Sequence, residues 1–275
     1  MRTIKLTLAY DGTDFAGWQY QPGQRTVQQT LQDALSQITG ERISAVASGR
    51  TDAGVHSLGQ FVGFTTNSHL SPEIFQRALN AELPRDLVVL TAEEAPSGFD
   101  PIRHAVRKRY CYILQDGPIA DVFSRRYAWH VFRRLDVAAM QRAAEPLIGR
   151  HDFSSFETGG SERVTTTRTV FELTVTRQPT RGAALGCVGD GREIHVEVVA
   201  DGFLYNMVRN IVGTLVEVGR GAREETWPAA VLAALDRRAA GPTAPPHGLF
   251  LVNVEYEGQG AGDTGQGDAQ ADAIN

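Results

Sequence analysis

The segment SGRTDAGVHSLGQ, Ser48 to Gln60, carries one carboxylate, Asp52, two residues after Arg50 and two before Gly54, with His56 close behind. An aspartate in a glycine-bounded turn often does no more than accept backbone N–H bonds. Beside an arginine it can do more, because the guanidinium would lower its pKa and hold it ionised as a base or nucleophile at neutral pH. His56 offers either a general acid or base or a structural hydrogen bond. The loop holds no second acid and no cluster spaced to bind a metal.

Two further segments carry unusual polar residues. Over 204–218, Leu204, Met207, Val208, Ile211, Val212 and Leu215 make a broad apolar helical face, while Asn206, Arg209, Asn210 and Gly213 make a narrow polar stripe. An exposed stripe ordinarily mixes Lys, Glu and Gln. Amides with a single cation suggest instead that Arg209 points into a protected site, where it needs an acid or a phosphate. In KRYCYIL, 108–114, Tyr110 and Tyr112 share one face of a strand beside Lys108. Such rings either pack in a core or stack on an unpaired base.

The elements that must position these residues follow from periodicity. Ile4, Leu6, Leu8 and Tyr10 alternate as a strand that stops at Asp11-Gly12. Thr26 caps a helix through Val27, Leu31, Leu35 and Ile38 that Gly40 ends, and Ser71-Pro72 opens a second, ended by Pro84. Extended segments near 43–47 and 58–65 flank the Asp52 loop, and DLVVL reads as a buried strand. Further strands are predicted at 109–114, 170–177, 194–200 and 249–256, with helices at 136–148, 204–218 and 227–240. Several neighbouring strands are too close in sequence for a helical crossover, which predicts mainly antiparallel sheets and an α+β class. APSGFDPIRH marks a boundary near residue 100, giving halves at 1–100 and 101–256 with a cleft between them, and a tail at 257–275.

Composition limits the function classes. The chain has 275 residues and a net charge of −5. Its last nineteen residues hold four acids and no Lys or Arg, leaving −1 on residues 1–256, and their Gly, Asp, Ala and Gln content predicts disorder. Only Lys5 and Lys108 are lysines. Basic clusters at Arg103/Arg107/Lys108/Arg109, Arg125/Arg126, Arg133/Arg134 and Arg237/Arg238 could face phosphates or be solvated surface. The two cysteines, Cys111 and Cys187, are far apart and lack zinc-site spacing, so they are expected to be buried, reduced and inert. There is no long apolar run and no signal-peptide pattern, which predicts a cytoplasmic chain without a membrane span.

YDGTDFAGWQYQP, SGRTDAGVHSLGQ, KRYCYIL, NMVRNIVGTLVEVG and GLFLVNVEY, in this order and spacing, resemble the tRNA pseudouridine synthase A family over roughly residues 3–256. The resemblance implies two similar α+β subdomains joined across a catalytic cleft, and isomerisation of uridine to pseudouridine at tRNA positions 38, 39 and 40, in the anticodon stem-loop. It implies a cytoplasmic homodimer that uses no cofactor and no metal. Asp52 matches the family's essential aspartate, and Tyr110 the tyrosine that stacks on the target uracil. Arg50 corresponds to the arginine that enters the RNA stack, Arg209 to the one that pairs with the aspartate, and Leu249 to an apolar pocket wall. A hydrolytic glycosidase usually needs two carboxylates. An isomerase that keeps its uracil bound and consumes no water can use one. Attack at C1′, attack at C6 and removal of the 2′ hydrogen all remain open, the last being preferred, and reaching a paired base requires flipping it out of the stack. Two other classes compete: a noncatalytic RNA-binding module, and a hydrolase built on Asp52 and His56.

Overall fold

The alternation read in the first ten residues produces β1, Arg2–Tyr10, with Ile4, Leu6 and Leu8 completely buried. In the computed structural model, residues 1–96, 98–159, 165–179 and 192–257 are described. The acidic tail beyond 257 and Cys187 lie outside them. Helix α1, Val27–Thr39, begins where the Thr26 side chain accepts the Gln29 N–H and ends at Gly40 in the left-handed region, φ 73°. Helix α2, Pro72–Glu82, is capped by Ser71. Both caps are as expected from sequence.

The remaining strands are β2 (Val46–Ala47), β3 (His56–Thr66), β4 (Leu87–Ala95), β5 (Ala105–Asp116), β6 (Trp129–Val131), β7 (Gly149–Asp152), β8 (Thr167–Pro179), β9 (Arg192–Ala200) and β10 (Leu249–Tyr256). They form one sheet in the order β4-β1-β3-β10-β5-β9-β8-β7, with β2 added to β3 and β6 to β5. Every pairing is antiparallel except β10 with β3 and β5 with β6. The class is α+β, as predicted. β4 is an edge strand, and Val88 and Leu90 are exposed; DLVVL is therefore not a fully buried strand.

Helices α3 (Val137–Ala144), α4 (Met207–Gly219) and α5 (Trp227–Ala234) complete the helices of the described residues. Each is shorter than its apolar spacing suggested. Helix α5 stops because Leu235 adopts φ 50°, and the residues after it form a 3-10 turn. α4 starts three residues late because Asn206 sits at φ 60°. One apolar core gathers β1 to β4 with α1 and α2. A second gathers β5, β8, β9 and β10 with α3, α4 and α5. Among the described residues no helix is long and apolar enough to cross a membrane.

Candidate active site

A cleft of about 1480 Å³ opens over the sheet, and Asp52, Arg50, Tyr110, Arg209 and Leu249 all line it. Linear spacing separates these residues by as much as 199 positions, so the sheet and α4 bring them together.

The loop that carries Asp52 is fixed from below by the Gly12–Trp18 segment. The Trp18 N–H donates to Thr51 O at 3.0 Å, and the Thr51 hydroxyl lies 2.8 Å from the Tyr10 hydroxyl. The Val55 N–H closes the turn onto Asp52 O at 3.1 Å. Gly12 permits this contact, since a Cβ there would stand 2.0 Å from Val55 O. Gly54, at φ 77°, supplies the left-handed turn. On the entry side, Lys108 Nζ donates to Ser48 O at 2.6 Å and Gln60 Nε2 donates to Gly49 O at 2.6 Å. Lys108 thus braces the loop as well as lining the cleft.

The partner of Asp52 is Arg209, not Arg50. Arg209 Nη1 lies 3.4 Å from Asp52 Oδ2, while Arg50 is exposed at the cleft wall and makes no ion pair with Asp52. The expectation that a neighbouring arginine would depress the pKa of Asp52 also fails. Burial pushes that pKa above its ordinary value, and the charge of Arg209 only partly offsets it. Arg209 itself is well anchored: Nε donates to Ala244 O at 2.7 Å and Nη1 to Asn206 Oδ1 at 2.7 Å. Helical spacing places Asn206 in the polar stripe, but it precedes the helix in a left-handed conformation and uses its side chain on Arg209 rather than on the helix N-terminus. Its neighbours in sequence gave no signal for that turn.

The rest of the stripe is structural. Asn210 is fully buried, donating to Phe156 O and accepting from Arg237 and Thr243. Gly213 makes room for backbone, since a Cβ would come within 1.7 Å of Pro242 O.

Tyr110 and Leu249 are buried apolar wall, with the Tyr110 ring edge-on to Phe203 at 5.0 Å. Tyr112 serves packing instead: it is completely buried and its hydroxyl donates to Pro245 O at 2.7 Å. His56 is also structural. Buried to 1 % exposure, it accepts the Gly12 N–H on Nδ1 at 3.0 Å, and Nε2 faces the carbonyls of Arg126 and His247. Burial lowers its pKa, which the Asp11 carboxylate 3.1 Å from Nδ1 only partly offsets, and the two carbonyls at Nε2 favour a proton there.

Two features escaped sequence reasoning. Asp201 is a second acid on the cleft wall; its Oδ1 accepts the Thr169 N–H at 3.0 Å, which ties it to β8. Asp52 is therefore alone in its loop but not in the cleft. Arg168 joins Arg50, Lys108 and Arg209 along the wall, so cations outnumber acids there. Most of the basic clusters read from sequence are spent elsewhere. Arg109 pairs with Glu172 and Glu197, Arg134 with Asp116, and Arg238 with Asp236, while Arg237 is tied to Asn210.

The amino-acid sequence has relatives among known proteins. Proteins named tRNA pseudouridine synthase A from Moorella thermoacetica (strain ATCC 39073 / JCM 9320), Brevibacillus brevis (strain 47 / JCM 6285 / NBRC 100599) and Thermoanaerobacter sp. (strain X514) are 46%, 45% and 41% identical to it. The matches run over 258, 256 and 256 residues, 93% of this chain and 100% of each relative. A sequence profile described as tRNA pseudouridine synthase matches residues 7–101 and 143–257, spans that contain Asp52, Arg209 and the strand bearing Leu249. The chain belongs to the tRNA pseudouridine synthase family, whose members isomerise uridine to pseudouridine in tRNA.

Proposed function

We propose that this chain isomerises uridine to pseudouridine at positions 38, 39 and 40 of the tRNA anticodon stem-loop, with Asp52 as the reacting carboxylate. The observation that carries this reading is the Asp52–Arg209 pair, half-buried at a cleft whose walls are aromatic, apolar and cationic. Burial leaves the carboxylate poorly solvated and more basic, as removal of the 2′ hydrogen or attack at C1′ requires, and Arg209 favours the ionised form. After the glycosidic bond breaks, the uracil must stay bound, turn and reattach through C5. Tyr110 and Leu249 offer the apolar faces that would hold it.

Arg50, exposed on the cleft wall, has the reach to fill the vacancy left by the flipped base, offsetting part of a cost of a few kcal/mol. Arg168 and Lys108 add positive charge along the strand path, which makes binding salt-dependent. As the family resemblance implies, the reaction in this proposal uses neither metal nor cofactor. We assign residues 1–100 and 101–256 to two subdomains, a division supported by the two separate apolar cores. The working form in this proposal is a cytoplasmic homodimer.

The test is a modification map. Unmodified tRNA is incubated with the wild-type chain or with Asp52→Ala, and pseudouridine is located by carbodiimide labelling and primer extension. Product at the three positions is expected with wild type and none with the variant. Wild-type-like product from Asp52→Ala removes Asp52 from the reaction, and release of free uracil makes the chain a hydrolase.

A further inference from the structure

Strands β5 and β9 place three side chains with ligating atoms on one face of the sheet. Cys111 and Glu197 are register partners across the two strands, and His195 lies two residues before Glu197. The thiol sulfur, an imidazole nitrogen and a carboxylate oxygen all lie within 4.8 Å of one another. Alternation along β5 points Cys111 away from the face that Tyr110 and Tyr112 present to the core and cleft. The cluster is thus separate from the candidate active site. We propose that Cys111, His195 and Glu197 form a zinc site that ties β5 to β9 behind the cleft.

The donor set suits this ion. Thiolate, imidazole and carboxylate are the three protein ligands of zinc, and a solvent molecule completes the tetrahedron. Two ligands two residues apart on one strand and a third on the neighbouring strand converge from three corners of a sheet face, and the strands are rigid supports. Cys111 is 9 % exposed, so the sulfur forms the floor; the His195 and Glu197 side chains, 25 % and 37 % exposed, flank it on the solvent side and leave the ion a way in.

The surrounding charge favours a cation. Glu172 and Glu197 share the guanidinium of Arg109 at 3.1 Å each, and Glu193 adds a third carboxylate beside His195. Arg109 reaches Oε2 of Glu197, so Oε1 is the oxygen available to a metal. Glu193 Oε2 is 3.4 Å from His195 Nε2, placed to accept that ring N–H and turn Nδ1 toward the ion, as outer carboxylates do for zinc-bound histidines. On binding, the S–H bond is replaced by S–Zn and the thiol proton passes to solvent. The cluster gains two positive charges from the metal and loses one with the proton.

The experiment uses the full chain, stripped of metal with a chelator, and Co²⁺ as a spectroscopic probe. A sulfur-to-cobalt charge-transfer band and tetrahedral d–d bands are expected to saturate at one equivalent and to vanish on adding Zn²⁺. Cys111→Ser should abolish the charge-transfer band. His195→Gln, at a partly exposed position where folding is not at risk, should weaken Co²⁺ binding at least about tenfold. Absence of the charge-transfer band in the wild-type chain overturns the proposal. So does a band retained in Cys111→Ser, which would place the ligand at Cys187, or Co²⁺ affinity unaltered in His195→Gln. None of these readouts depends on tRNA or turnover.

Discussion

Arg209 Nη1 meets Asp52 Oδ2 at 3.4 Å, well beyond the roughly 2.7–2.9 Å of a tight charge-assisted hydrogen bond. The same nitrogen is held at 2.7 Å by Asn206. Arg209 is thus fixed by its own neighbours and offers Asp52 charge more than a bond. That looseness explains why burial wins over pairing in setting the pKa of Asp52.

Replacing Arg209 by Ala removes the positive charge that opposes burial, so the pKa of Asp52 rises further. The acid limb of the pH–kcat/KM profile should move to higher pH. Turnover at neutral pH should fall about ten- to a hundredfold and recover in part at higher pH, while tRNA affinity changes less. A profile of unchanged shape with strongly weakened tRNA binding would make Arg209 a phosphate contact.

Asp52→Asn should eliminate turnover and yet stabilise the fold. With the folded pKa raised, the native state holds the proton more tightly than the unfolded chain, so stability falls as pH rises from the ordinary value of 3.8 through the folded value. Above that window ionised Asp52 is a cost that Asn removes. Thermal midpoints should favour the variant at pH 7 and converge with wild type in acid; a lower midpoint at pH 7 contradicts this account.

Asn206 holds a left-handed conformation that glycine adopts without penalty. Asn206→Gly should keep or raise stability, by up to about 1 kcal/mol, while losing the acceptor that orients Arg209. Turnover is expected to drop about tenfold, the equivalent of one charge-assisted hydrogen bond, with tRNA affinity preserved. Urea midpoints and single-turnover rates measured on the same preparation check both halves.

Tyr110→Phe separates the hydroxyl from the ring. If the hydroxyl handles the proton at C5, turnover falls about a hundredfold while tRNA binding is unchanged. Full turnover leaves Tyr110 with stacking alone, and Tyr110→Leu should then be the damaging change.

Gly12→Ala puts a methyl group into Val55 O, which forces the 11–14 segment and the Asp52 turn apart. A loss of about 3 kcal/mol in urea unfolding is expected, together with impaired turnover. Gly23 is a matched control: it has φ 74° but nothing within 4 Å of an added Cβ, so Gly23→Ala should cost about 1 kcal/mol and leave turnover intact.

Local signals in the chain were reliable where the physics is local. Thr26 and Gly40 bracket α1, and Ser71 opens α2, because caps act on adjacent backbone groups. The Asp52 loop was legible for the same reason. Periodicity overran the ends of α4 and α5, since an apolar residue can keep the helical spacing while its backbone leaves the helix, as Leu204 and Leu235 do. What could not be read was adjacency. Nothing in the spacing of residues 48–60 announces that Arg209 rather than Arg50 is the partner of Asp52; only the family resemblance pointed to that pair. Asp201 gave no sign of facing the same cleft, and Cys111 none of lying beside His195 and Glu197. Those meetings follow from strand order and register, which are fixed by the whole sheet.

β10 is the last of the described strands and lies in the middle of the sheet, joining β3 to β5. During synthesis, every other described strand must leave the ribosome before the two halves can be stitched together. Until Leu249 to Tyr256 emerge, β3 and β5 each present an open edge, and such edges invite pairing with the wrong strand. The wall bearing Leu249 is absent for the same interval. A nascent chain therefore holds its aspartate and arginine in separate halves, and it gains the capacity to act on tRNA in one late step, when the final strand slides into place.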